Sequence, residues 1–157
     1  MHFTPFIHNV EVWIIAFRRQ GPLNLLNSIR RYIMKAAILV LSDPSHGKEE
    51  AVGRVFNALA TAFDYKENGA EVTVMFNGTG TRWISELTNP EHPVHELFEA
   101  VKDLIAGVSC GCADVFGAAE EVEKSGFDYL TNNPIPGTRG LPSLHKLASD
   151  GYSVITF

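Results

Sequence analysis

Cysteine is scarce in this chain of 157 residues: there are two, Cys110 and Cys112, one residue apart. Two thiols cannot build a disulfide framework, so the expected setting is a reducing cytoplasm. Long apolar runs are missing as well. None approaches the ~20 residues that a membrane-spanning helix needs, and no membrane association is expected. A basic surface is also lacking over most of the chain. Residues 34–157 carry nine lysines and arginines against seventeen acids, while residues 1–33 carry four arginines and one acid. An acidic body argues against a nucleic-acid partner, whose phosphates require a basic face. There is no internal repeat, no low-complexity segment, no P-loop lysine, no full dinucleotide fingerprint and no legible Ser-His-Asp set. Nothing in the residues asks for a cofactor.

What is present divides at Met34. Residues 1–33 hold a short apolar patch (12–17) broken by Arg18-Arg19 and then Gly21-Pro22, without the basic start or small-residue cleavage site of a secretory signal. We read them as an N-terminal extension upstream of a natural start at Met34; a peripheral amphipathic helix over 23–33 is the competing reading. Residues 34–157 then form a single domain.

Within that domain, residues 36–41 form a continuous apolar run closed by Ser42-Asp43-Pro44, the pattern of a strand covered on both faces. Val52, Val55, Phe56, Leu59 and Phe63 recur at helical spacing, which predicts one buried helix face ending at Asn68-Gly69. Residues 71–76 predict a second strand, followed by a turn-forming Asn77-Gly78-Thr79-Gly80. Pro93 is expected to open a helix carrying Val94 through Ile105, and residues 106–109 a brief third strand. A helix over 113–124 is expected to bury Val115, Phe116, Ala119 and Val122 and to stop at Gly126. Residues 127–130 predict a weak fourth strand, 141–151 a last helix and 152–157 a closing strand. Strands alternating with helices imply an α/β fold with a mostly parallel sheet covered on both faces.

In such sheets ligands gather beyond the carboxyl ends of the strands. Four loops qualify: 42–47, 77–81, 110–112 and 131–140. Their candidate binding residues are Ser42, His46, Asn77, Gly78, Gly111 and Asn132. Cys110-Gly111-Cys112 lies between a strand end and a helix start. There the helix dipole and free amides favour a thiolate, while Asp114 opposes it. A disulfide across one glycine would be strained and labile. Two small buried residues at a tight junction are an alternative. Zinc is a weaker one, because the pair supplies only two ligands and His46, His92, His95 and His145 have ordinary capping, surface or packing roles open to them. The 77–81 loop could cradle an anion, although a bare turn is the plainer reading.

Taken together, "KAAILVLSD", "VTVMFNGTGTRWISEL", "HPVHELFEAVKDLIAGVSCGCADVFGA" and the closing "GLPSLHKLASDGYSVITF" resemble the DsrE family of small sulfur-metabolism proteins, over residues 35–157. That resemblance implies a three-layer α/β/α fold with a five-stranded parallel sheet, assembled as a trimer or hexamer. It also implies a persulfide-carrying cysteine at the end of the third strand, where Cys110 and Cys112 fall, with sulfur-donor and sulfur-acceptor proteins as partners. Related sequences carry a C-x-x-C arrangement there; this chain has Ser109 in place of the first cysteine. The expectation is sulfur transfer or thiol redox chemistry, with Cys112 as the nucleophile and Cys110 as the resolving or auxiliary thiol. Trp83, Phe98 and Tyr129 are expected at subunit contacts. The alternatives are a binding or assembly module that uses the crevice for a small anion or nucleotide, with packed cysteines, and a metal-responsive protein.

Overall fold

The structure, a computed structural model, describes residues 34–157. The readings of the extension, its candidate helix over 23–33 included, lie outside the described residues. Five strands form one sheet: β1 (Lys35–Val40), β2 (Glu71–Phe76), β3 (Ile105–Ser109), β4 (Tyr129–Leu130) and β5 (Ser153–Thr156). Their order is β4-β3-β2-β1-β5, and every pairing is parallel. The run at 36–41 is explained by this order. β1 lies between β2 and β5 and is buried from Ala36 to Val40, so both of its faces are apolar.

The order also dictates the layers. From β1 to β4 the chain steps in one direction, so right-handed crossovers place their helices on one face of the sheet; the return from β4 to β5 puts its helix on the other. The first set comprises α1 (Lys48–Glu67), α2 (Trp83–Leu87), α3 (His95–Val101), α4 (Cys110–Phe116) and α5 (Ala119–Ser125); the last is α6 (Leu144–Ser149). Core composition agrees. Ala36, Ile38, Val40, Val72, Val74, Phe76 and Val108 alternate along the strands and pack in one cluster with Val55, Leu59, Leu87, Phe98 and Val122.

Helix α1 forms where the periodicity placed it. Glu49 and Glu50 in its first turn and Lys66 in its last complement the macrodipole, and the Asn68 amide closes onto the Asp64 carbonyl and the Gly69 amide onto the Lys66 carbonyl. Its buried face differs from the expected one. Ala51, Val55, Ala58, Leu59 and Ala62 are buried, while Phe56 and Phe63 are 49% and 39% exposed. The sheet approaches α1 closely enough that an alanine-rich stripe fills the interface, and the two phenylalanines rotate outward.

Other expectations change in the same way. Trp83 and Phe98, expected at subunit contacts, are among the largest fully buried side chains, and only Tyr129 of that trio is half-exposed. α3 begins two residues after Pro93 and stops at Val101, leaving Leu104 to a 3-10 turn and Ile105 to β3. The helix expected over 113–124 is two helices, α4 and α5, separated at Gly117 by a left-handed turn (φ 71°). Breaking there turns Val115 into solvent, 70% exposed, and leaves Phe116 half-buried rather than in the core.

Candidate functional site

The carboxyl ends of β1 and β2 are locked together before any site is formed. The Asn77 amide donates to the Val40 carbonyl at 2.9 Å, and a 3-10 turn (Gly78–Arg82) folds back over it. A Cβ at Gly80 would lie 2.2 Å from the Val40 oxygen, so only glycine lets the turn approach this closely. The turn then delivers Arg82 and Trp83. Arg82 donates through NH1 to Asp43 Oδ2 at 2.8 Å and through Nε to the Phe116 carbonyl at 3.0 Å, tying the β1 loop to the end of α4. Trp83 Nε1 donates to the Ser42 carbonyl at 2.9 Å. Burial alone would raise the Asp43 carboxyl, but hydrogen bonds from the Ser45 hydroxyl and amide, with the Arg82 guanidinium, hold it down at about 2.

Both cysteines belong to the first turn of α4, directly after β3, rather than to a loop before the helix. They are free thiols. Residues two apart on a helix face different ways, so one turn separates their environments. Cys110 is 2% exposed, and Cys112 is half-buried. Burial pushes the Cys110 thiol above its ordinary value; Arg139 pulls it down, while Asp114 and Glu123 push it up. Ser109, the residue before the helix, is fully buried, does not cap α4, and its hydroxyl has no partner among the described residues.

Gly111 is fixed by the loop after β4. Its amide donates to the Gly140 carbonyl at 2.8 Å, and a Cβ there would meet Leu141, Thr138 and Gly140 at 3.0–3.2 Å. The same loop sends Arg139 onto Asp114. One guanidinium edge engages both carboxylate oxygens, Nε donating to Oδ2 at 2.7 Å and Nη2 to Oδ1, and the guanidinium carbon lies 5.0 Å from the Tyr129 ring centre. Hydrogen bonding from Arg139 keeps the Asp114 carboxyl below its usual range. The acid that sequence reasoning set against the thiolate is thus paired.

The six other candidate residues do not converge on one crevice. Ser42 and His46 line a cavity of about 350 Å³ with Asp43, Glu50 and Arg54, and His46 itself is exposed, 3.3 Å from Asp43. Gly111 lines a second, of about 330 Å³, with Asp114, Val115, Thr138 and Arg139. Asn132 lines a third, of about 170 Å³, with Thr73, Met75 and Lys146, and its Oδ1 accepts from the Ser143 amide at 3.0 Å. Asn77 is buried, its Oδ1 without a partner among the described residues, and Gly78 opens the 3-10 turn. No group of three His, Cys, Asp or Glu side chains is arranged to hold a metal ion among the described residues. Arg82, Asp43 and Arg139 were missed by sequence reasoning. A lone cation on a carboxyl-edge loop, with an acid in the first turns of the neighbouring helix, was the available signal for Arg139.

Fold and site together define a parallel α/β domain with a thiol pair where the third strand meets its helix. The chain belongs to the DsrE/DsrF-like family, whose match covers residues 34–157. It is 32% identical over 122 residues to an uncharacterised protein of Methanocaldococcus jannaschii, covering 78% of this chain and 94% of that one. No solved structure matches the chain. No described helix is long and apolar enough to cross a membrane.

Proposed function

We propose that this protein is a cysteine-based sulfur carrier, with a persulfide-transfer or thiol-redox role and Cys112 as the working thiol. The observation that carries this reading is the contrast within α4 at the carboxyl edge of the sheet: Cys112 is only half-buried, while Cys110 is 2% exposed. The Cys112 thiolate attacks the outer sulfur of a donor persulfide, R–S–SH. A new S–S bond forms at Cys112, the donor's S–S bond breaks, and R–S⁻ leaves while the proton stays on the transferred sulfur. Delivery to an acceptor thiolate repeats the step in the outward direction, so no cofactor is needed. Two free thiols suit a reducing cytoplasm. Exposed Phe56 and Phe63 suit a homo-oligomer, a trimer or hexamer on the family pattern, that exchanges sulfur with donor and acceptor proteins.

The test is mass spectrometry of the folded full chain after exposure to a sulfane-sulfur donor. Cys112 gains one sulfur atom, and Cys112→Ser abolishes the gain. A folded protein in which neither cysteine gains sulfur overturns the reading. A second reading, a small-ligand or assembly module with packed cysteines, is favoured by one observation, the buried Oδ1 of Asn77 at the carboxyl edge, which has no partner among the described residues. Failure of Cys112 to react with any thiol reagent in the native state would select it.

A further inference from the structure

The loop at 131–141 packs on Gly111, the residue after the buried Cys110, but is attached lightly. Its residues from Pro134 to Arg139 are exposed, and a cavity of about 330 Å³ is lined by Gly137, Thr138 and Arg139 together with Gly111, Asp114 and Val115 of α4. Two contacts close the loop over the helix: the Gly111 amide to the Gly140 carbonyl, and the two-pronged Arg139–Asp114 ion pair with the Tyr129 ring beneath it. Asn133 and Leu141 exchange backbone hydrogen bonds at 2.8 and 2.9 Å, bracketing the exposed tip. Asp114 follows Cys110 by four residues, so the acid stands on the same helix face as the buried thiol.

From these contacts we infer that residues 131–141 form a lid latched by Arg139 and Asp114, and that Cys110 is a second, gated thiol exposed only when the latch opens. The fold favours local opening at this place. The tip buries no large side chain, its exposed ion pair is of the kind that contributes little in water, and β4 behind it is two residues long. The half-buried Cys112 needs no such movement. The two thiols are therefore distinguished by access as well as by burial. The inference does not depend on sulfur being the cargo at Cys112.

The test uses the full chain carrying Cys112→Ser, so that Cys110 is the sole thiol, and follows its alkylation by iodoacetamide under native conditions. Asp114→Asn and Arg139→Gln are each added to that background. If the pair is a latch, both substitutions speed alkylation, by about fivefold, the size expected for losing one exposed ion pair that gates a local opening. If the pair acts only through charge, the two must differ in sign: removing the acid favours the thiolate and speeds the reaction, while removing the guanidinium slows it. Opposite signs, or no change in either variant, overturn the lid. Hydrogen exchange on the same variants separates a lid from general loosening. Faster exchange confined to 131–141 supports the inference, whereas faster exchange spreading to β1 and α1 overturns it.

Discussion

Arg82 holds Asp43 at 2.8 Å while donating to the Phe116 carbonyl, so one side chain joins the end of β1 to the end of the cysteine helix. The Asp43 carboxyl is depressed to about 2 from an ordinary 3.8: burial opposes ionisation, but the Ser45 and Arg82 hydrogen bonds overcome it. A depressed folded-state value means that unfolding takes up protons. The stabilisation is complete above the unfolded value near 4 and fades as the pH falls through about 2. Asp43→Asn removes it, on the order of 1–2 kcal/mol at neutral pH for a partly solvated group. Urea unfolding at pH 7 and at pH 2 tests this. The gap between wild type and variant should be wide at pH 7 and should shrink at pH 2, and a gap that does not depend on pH would remove the assignment.

Two glycines make opposite predictions. Gly80→Ala drives a methyl into the Val40 carbonyl, 2.2 Å away, where neither strand end is free to move. It should cost roughly 3 kcal/mol or more, in the class of steric errors at special backbone positions. Gly53 lies inside α1 with nothing within 4 Å of an added Cβ. Gly53→Ala should therefore stabilise by about 0.5–1 kcal/mol, through helix propensity and a less flexible unfolded chain. Thermal unfolding of the two variants should move in opposite directions; a shared direction would contradict the packing described for the turn.

The sequence made the strands legible because the sheet's topology is written into apolar runs. β1 reads as covered on both faces because it is an interior strand of a sheet with helices on both sides, and β2 falls where its run ends in turn residues. Side chains that depend on how closely layers approach were less legible. Phe56 and Phe63 share the helical period with Val55 and Leu59, and only the approach of the sheet decides that alanines take the inward position. The cysteine turn was legible as a place, the end of β3, and not as an arrangement. Cys110 is buried and Cys112 half-buried, and a loop about thirty residues away in sequence lies on Gly111 between them. Such a contact has no local signature.

That separation gives a last prediction, in which the two cysteines trade roles between stability and reactivity. Cys110 is 2% exposed with its thiol raised by burial, so Cys110→Ser places a hydroxyl in a desolvated position. It should cost about 1–3 kcal/mol, the cost of burying an unsatisfied polar group. Cys112→Ser changes a half-buried position and should remain within about 0.5 kcal/mol of wild type. Reactivity should follow the reverse order, with native alkylation at neutral pH labelling Cys112 first and Cys110 slowly. Denaturant unfolding of both variants and a site-resolved labelling time course check the pair. Equal labelling rates would show that the burial difference within α4 does not govern the chemistry. A destabilised Cys112→Ser would show that its thiol is a packing element, and the carrier reading would then lose its open sulfur.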